Sequence, residues 1–392
     1  MMSDLPLTRA TALERLAAFA PFAGEDYGRL RNLDLGVARH RHMSRLSAAL
    51  RRRLISEDEV MAAVLARHPY PAAEKFISEV FWRSYWKGWL QSRPGLWPDY
   101  LRAVARAEAR LEKDQSMHQC HAIACAGQTG IDCFDAWVRE LETTGYLHNW
   151  ARMQFASIWV FTLGLPWELG AAFTLARFID ADPASNTLSW RWVAGLHTAG
   201  KAYLSDAARI AEMTQGRFAP KGLATQAVIG PDTLATPRPM PPRQPAKPDP
   251  STPSLLLLSI EDLSPETVPQ LQDLSIRSIV FLEGESAADT GALQDALARA
   301  QDRWPKAACQ GTLSSAALAQ AAKDQAQIVT AFTPVGPVAD RLAPVRQAAL
   351  AQGVPFTEYL RDWDSLVWPQ CKKGFFALRE HIPARLAQRG LA

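Results

Sequence analysis

Cysteine is scarce in this chain of 392 residues: there are five, an odd number without paired CxxC spacing. That excludes a disulfide-stapled scaffold and makes a reducing cytoplasm the expected compartment. Long apolar runs are missing too. The longest uncharged apolar stretch, Met153 to Trp167, is too short to span a bilayer and contains Gly164 and Pro166, so neither a membrane segment nor a secretory signal is expected. An excess of one charge is also lacking. The 43 Lys+Arg face 40 Asp+Glu, which argues against a polybasic nucleic-acid tail. A hydrophobic content of 48% excludes disorder as a description of the whole chain. Neither a Walker loop nor a GxGxxG string occurs, so no glycine fingerprint for cradling phosphate is present.

Proline and tryptophan stand out against these absences. Nine of the 27 prolines fall between Pro231 and Pro253, and residues that fix φ and lack an N–H predict an extended, exposed linker there. The chain is thereby divided into 1–230, 231–253 and 254–392. The first part carries 27 basic and 23 acidic residues (+4), the last 13 and 15 (−2). Ten of the 13 tryptophans lie in the first part.

Up to residue 230 the pattern is helical throughout, with apolar residues three and four apart in 47–68 and 98–114, and Ser56 followed by Glu59 forms a capping box. Strand-like alternation is absent there. The last part alternates short apolar runs (254–260, 277–283, 327–333, 355–361) with helical stretches. That alternation predicts βαβ units in a mostly parallel, doubly wound sheet.

Four clusters could carry chemistry. Trp82, Trp86 and Trp89 recur at helical spacing beside Glu79 and Arg83; they form either a buried aromatic face or one wall of a ligand cavity. Asp180 and Asp182 precede Pro-Ala-Ser-Asn and then Trp190 and Trp192. The plain reading there is a turn begun by Asp182 and capped by Asn186; the density of acid, amide and indole favours a site. His118, His121, Cys125 and Cys133 could offer four zinc ligands, but without paired spacing an ordinary helix with small buried cysteines is preferred and no metal is expected. The Arg51-Arg52-Arg53 run reads as a solvated helix face that could touch phosphates. No GxSxG elbow supports a hydrolase.

Several strings are familiar. AGQTGIDCFDAWVRELETTGYLHNWARM (126–153) and LPWELGAAFTLARFIDADPASNTLSWRW (165–192), with MSRLSAALRRRLIS (43–56) and EVFWRSYW (79–86), resemble the FAD-binding helical domain of the DNA photolyase/cryptochrome family in family order. The resemblance covers roughly 25–215. It implies a fold of an all-helical photolyase-type FAD-binding domain (1–230), a Pro-rich linker and a smaller Rossmann-like parallel α/β domain (254–392). It also implies FAD as cofactor, with Tyr27, Ser44, Leu46, Ser47 and Arg83 lining its phosphates and ribityl chain. Arg152 and Asp180 would form a salt-bridged pair beside the isoalloxazine, Asp182 would face the ring, and Asn186 would stand near flavin N5.

On the substrate side the resemblance implies that Trp82 and Trp192 pack against a flipped-out cyclobutane pyrimidine dimer. Glu79 would hydrogen-bond that dimer, and Asn149 and Met153 would complete the dimer-repair pattern. The (6-4) photolyases carry histidines at these last two positions, so that chemistry is disfavoured. Trp190 and Trp167 match the first two members of an electron relay, and the third would fall near Asp114, where no tryptophan stands. Trp150 occupies a position where many dimer photolyases have arginine, 193–218 lacks the usual closing motif, and the cysteines do not fit an iron–sulfur cluster.

The implied activity is blue-light repair of cyclobutane dimers in UV-damaged DNA by a carbon–carbon lyase. The alternative is a cryptochrome-like photoreceptor that binds FAD without repair and acts through a signalling partner. No motif identifies an antenna chromophore. Photolyases begin with an α/β antenna domain, whereas here the α/β part comes last, which suggests a circular permutation.

Overall fold

Helices fill the chain from Arg9 to Met213, and their boundaries follow local chemistry. In this computed structural model, which describes residues 5–391 apart from Ala38, Arg41, Ala199 and Ala235, the helix Glu57–Leu65 starts at the Ser56/Glu59 capping box. The long helix Tyr70–Gln91 opens with Pro71 in its first turn, where a missing N–H costs nothing. Asp182 caps Pro183–Val193 by accepting the Ser185 N–H. Asn186, read from the sequence as closing a turn, instead sits inside that helix. Once Asp182 takes the free N–H and Pro183 presets φ, the chain continues as helix.

Among its described residues the segment rich in proline forms neither helix nor strand and is largely exposed. It is pinned nonetheless: Met240 N–H donates to the Ser92 carbonyl at 2.8 Å and Glu358 N–H to the Ala246 carbonyl at 2.9 Å.

Beyond it lie five parallel strands, β1 Ser254–Leu258, β2 Ile276–Leu282, β3 Ala308–Leu313, β4 Gln327–Ala331 and β5 Phe356–Tyr359, in the order β3-β2-β1-β4-β5. Helices cover both faces. Leu256, Leu258, Ile279 and Phe281 join a core continuous with the helical part, while Leu255, Leu257, Val280 and Ile328 pack with Val338, Leu342 and Val345 of the helix Pro337–Ala351. Burial on both sides is why these strands read as unbroken apolar runs. β3 has no such run because it is a mostly exposed edge.

The two parts meet through charge. Arg51, Arg52 and Arg53 are buried, contrary to the solvated face expected of them. Arg51 pairs with Glu261 at 2.7 Å, Arg52 with Asp289 at 2.7 Å and Arg53 with Asp364 at 2.5 Å. A guanidinium taken out of water needs such partners, and all three belong to the α/β part. The final helices return to the helical part as well, with Trp363 Nε1 donating to Ser84 Oγ at 2.8 Å and Phe375 stacked on Trp82 at 3.8 Å between ring centroids.

Among the described residues no helix is long and apolar enough to cross a membrane, and no His/Cys/Asp/Glu group is disposed to hold a metal. The His121 and Cys125 side chains instead meet each other at 3.5 Å. All five cysteines are free.

Candidate functional site

Two adjoining cavities, of about 460 and 210 Å³, open between the helices Tyr70–Gln91, Asn149–Ser157 and Pro183–Val193. They share Glu79, Trp82, Arg83, Asn149, Arg152 and Asp180 as walls. The larger is lined also by Met153, Asp182, Asn186, Trp190 and Trp192. The smaller is lined by Tyr27, Ser44, Leu46 and Ser47. Every cofactor, substrate or electron-relay residue implied by the resemblance except Trp167 therefore lines one or both of these adjoining cavities.

Backbone geometry aims the two carboxylates. Ala181, between them, has φ +34°, an uncommon conformation for a residue with a side chain. Asp180 turns to Arg152, whose Nη2 lies 3.0 Å from Oδ2, and Asp182 turns to Arg83, Nη2 to Oδ2 2.7 Å. Burial works to raise both carboxyl pKa values and the guanidinium partners override it. Asp180 is held below its ordinary value by Arg152 and Arg83. Asp182 is brought to about 2 by Arg83, Lys87 and Arg51 against its own burial. Both are anions.

Glu79 differs. Burial pushes its carboxyl up more than Arg31, its ion-pair partner, pulls it down. Asn186 is fixed on both ends of its amide, Oδ1 accepting from the Thr174 hydroxyl at 3.0 Å and Nδ2 donating to the Ala171 carbonyl at 2.8 Å. Asn149 and Met153 are neighbours, Nδ2 to Sδ 4.0 Å.

Trp190 donates Nε1–H to the same Thr174 hydroxyl at 2.9 Å and stands 6.1 Å from Trp159, edge to face. Gly170 makes that approach feasible: a Cβ there would sit 2.3 Å from Trp190 Cη2. Trp167 lies away from the cavity, buried and stacked with Tyr100 at 5.7 Å; Tyr100 in turn is 5.6 Å from Trp97. Asp114, near which a third relay tryptophan was sought, caps the helix Gln115–Cys125 instead.

Sequence reading missed Arg31, Tyr203 and Arg209 in the cavity wall and Arg45 in the smaller one. Arg31, Tyr203 and Arg209 have no matching string around them, whereas Arg45 lies inside the 43–56 string between Ser44 and Leu46. Arg31 follows a six-residue helix, Glu25–Leu30, and becomes relevant only through Glu79, 48 residues away.

The polar walls have capacity left over. Arg45 Nε is buried without a hydrogen-bond partner among the described residues, an arrangement that calls for a polar ligand. Guanidinium groups at Arg45 and Arg83 suit a diphosphate, and the Arg152–Asp180 pair with aromatic walls suits a planar ring. The donor set thus fits a flavin dinucleotide.

Helical cover and a cavity of this chemistry are compatible with a flavin-binding protein. Residues 76–222 match the family model described as the FAD binding domain of DNA photolyase. The chain is similar to a deoxyribodipyrimidine photo-lyase of Vibrio cholerae, 33% identical over 133 residues, which are 33% of this chain and 27% of that protein. It is also similar to a cryptochrome DASH of Natronomonas pharaonis, 46% identical over 70 residues, 18% of this chain and 15% of that one. A crystal structure of a class III photolyase from Agrobacterium tumefaciens overlaps it with a TM-score of 0.44 at 28% identity, covering 53% of this chain and 43% of that one. By the family model and these curated relatives, the chain resembles the photolyase and cryptochrome family in its helical part. It spans well under half the length of these relatives.

Proposed function

We propose that the chain is a flavin-dependent photolyase that repairs cyclobutane pyrimidine dimers in UV-damaged DNA. The observation carrying this reading is convergence: Glu79, Trp82, Asn149, Met153 and Trp192 line the same cavity as Arg83, Asp180, Asp182 and Asn186. FAD held by these residues would supply light-driven one-electron transfer to the dimer and back, with no net oxidation.

The chain's own residues bind, orient and exclude water. Arg45 and Arg83 neutralise the diphosphate, Asp182 keeps Arg83 in place, and Arg152 with Asp180 forms the salt-bridged pair beside the isoalloxazine. The Asn186 amide, fixed by Thr174 and Ala171, places a neutral group at its end of the cavity with no acidic proton to give. Trp82 and Trp192 offer indole faces to a dimer extruded from the duplex, for which stacking repays lost base contacts. Burial raises the Glu79 carboxyl pKa against the pull of Arg31, and this carboxyl hydrogen-bonds the dimer. The location of the α/β part after the helical one is read as a permuted photolyase order.

The experiment is illumination of the fully reduced protein with an oligonucleotide carrying one thymine dimer, at two salt concentrations. Repair expected for the wild type falls on substituting Glu79→Gln, and binding to damaged DNA weakens as salt rises. Full flavin content without repair at saturating DNA refutes the enzyme reading in favour of the photoreceptor.

A further inference from the structure

In an open parallel sheet, ligands bind in the crevice beyond the carboxyl ends of the strands, where neighbouring strands connect in opposite directions. Here that point lies between β1 and β4, with Glu261 just past β1 and Pro334, Val335 and Gly336 just past β4. The crevice is filled by the protein itself. Arg51, Lys87 and Asp182–Ala184 occupy it together with Glu261, leaving a hollow of about 10 Å³, at most one water. Gly336, φ +148°, faces Pro183 so closely that a Cβ would lie 2.9 Å from Pro183 Cγ.

What the crevice grips is the segment that presents Asp182 to the flavin cavity. Arg51 Nη2 lies 2.7 Å from Glu261 Oε1, and its Nε donates to the Ala181 carbonyl at 3.4 Å. Lys87 Nζ lies 3.4 Å from Glu261 Oε2. All of these side chains are buried. Arg83, Lys87 and Arg51 are also the cations that hold Asp182 anionic. Three cations thus serve two carboxylates, and the group that sets the surplus at a single positive charge is Glu261.

We propose that Glu261, from the α/β part, is a positioning residue for the flavin site: by balancing Arg51 and Lys87 it fixes both the place of Asp182 and the net charge behind the flavin ring. The proposal rests on the flavin reading above. It gives the sheet's crevice a role as a socket for the helical part, and it leaves no room there for a second chromophore.

The test compares FAD affinity in the oxidised and reduced states. Glu261→Gln leaves one more positive charge uncompensated, which favours the anionic reduced cofactor. At partly screened interior distances one charge changes the ratio of the two dissociation constants on the order of tenfold, equivalent to about +30 mV for a two-electron couple. Glu261→Asp, which keeps the charge, is expected to return most of the shift. Where Glu261→Gln fails to fold, the pair Glu261→Gln/Lys87→Met, which removes one charge of each sign, is expected to fold and to show the wild-type ratio. An unchanged ratio in folded Glu261→Gln, or an altered ratio in the charge-balanced pair, overturns the proposal. A wild-type chain that takes up no FAD overturns the flavin reading and this inference together.

Discussion

The Arg52–Asp289 pair offers a quantitative test of how the two parts are joined. Arg52 is 2% exposed and Asp289 5%. Their side chains make two contacts, Nη2 and Nε to Oδ1 at 2.7 and 2.9 Å. Arg52 Nη1 also donates to the Ile179 carbonyl at 2.8 Å, next to Asp180. Burial lowers the Arg52 pKa more than Asp289 raises it, the sign of a pair whose desolvation is not fully offset. Arg52→Met strands a buried carboxylate, which costs about 3–5 kcal/mol. In Arg52→Met/Asp289→Leu the stranded charge is gone and the residual cost is that of the orphaned Ile179 carbonyl, about 1–3 kcal/mol. The double variant is therefore expected to be more stable than Arg52→Met alone by about 2 kcal/mol, and because either single variant strands a buried charge the two single costs are strongly non-additive in the cycle. Urea unfolding followed by both far-UV circular dichroism and tryptophan fluorescence measures this and reveals any separate melting of the two parts. Additive costs, or an Arg52→Met cost below about 1 kcal/mol, refute the picture of a charge-locked junction.

Two further expectations concern the cavity and its surroundings. Gly170→Ala drives a methyl into the Trp190 ring, so a loss of about 1–3 kcal/mol is expected together with a changed tryptophan fluorescence; a variant as stable as wild type shows that the ring moves freely aside. His197, packed on Trp86 and Trp89, has its pKa brought down to about 4 by burial and by Arg191 and Arg93. The unfolded chain, with an ordinary histidine near about 6.5, then binds more protons than the folded one between these values. Stability is accordingly complete above the upper value and declines as pH falls through the window, by on the order of 2 kcal/mol after allowance for partial exposure. His197→Gln should flatten this slope while His148, also lowered by burial, keeps its own share; identical slopes in wild type and variant count against it.

How much of this was legible depended on where each residue's partners lie. β1, β2, β4 and β5 announced themselves because both faces are buried, while β3, Ala-Cys-Gln-Gly-Thr-Leu on an exposed edge, offers no apolar signal at all. The Ser56 capping box was legible because its two members are three residues apart. Arg51, Arg52 and Arg53 were misread because their acids lie 210, 237 and 311 residues away, and three consecutive arginines look the same in solvent as in a buried junction. The plain alternative for Asn186, a turn cap, fails for a related reason: which of several polar residues caps a helix is decided by backbone geometry at Asp182. The cavity walls came from resemblance to a family, and Arg31 escaped because only the fold brings it to Glu79.

The central claim is that the hollow bounded by Tyr27, Arg83, Asp180, Asp182 and Asn186 holds a flavin dinucleotide. The direct measurement is the cofactor released on denaturing the purified or FAD-reconstituted chain, quantified by absorbance and mass. The account predicts one FAD per chain in the wild type and a marked loss of retained FAD in Arg83→Ala. A wild-type chain that retains no FAD even after reconstitution contradicts it.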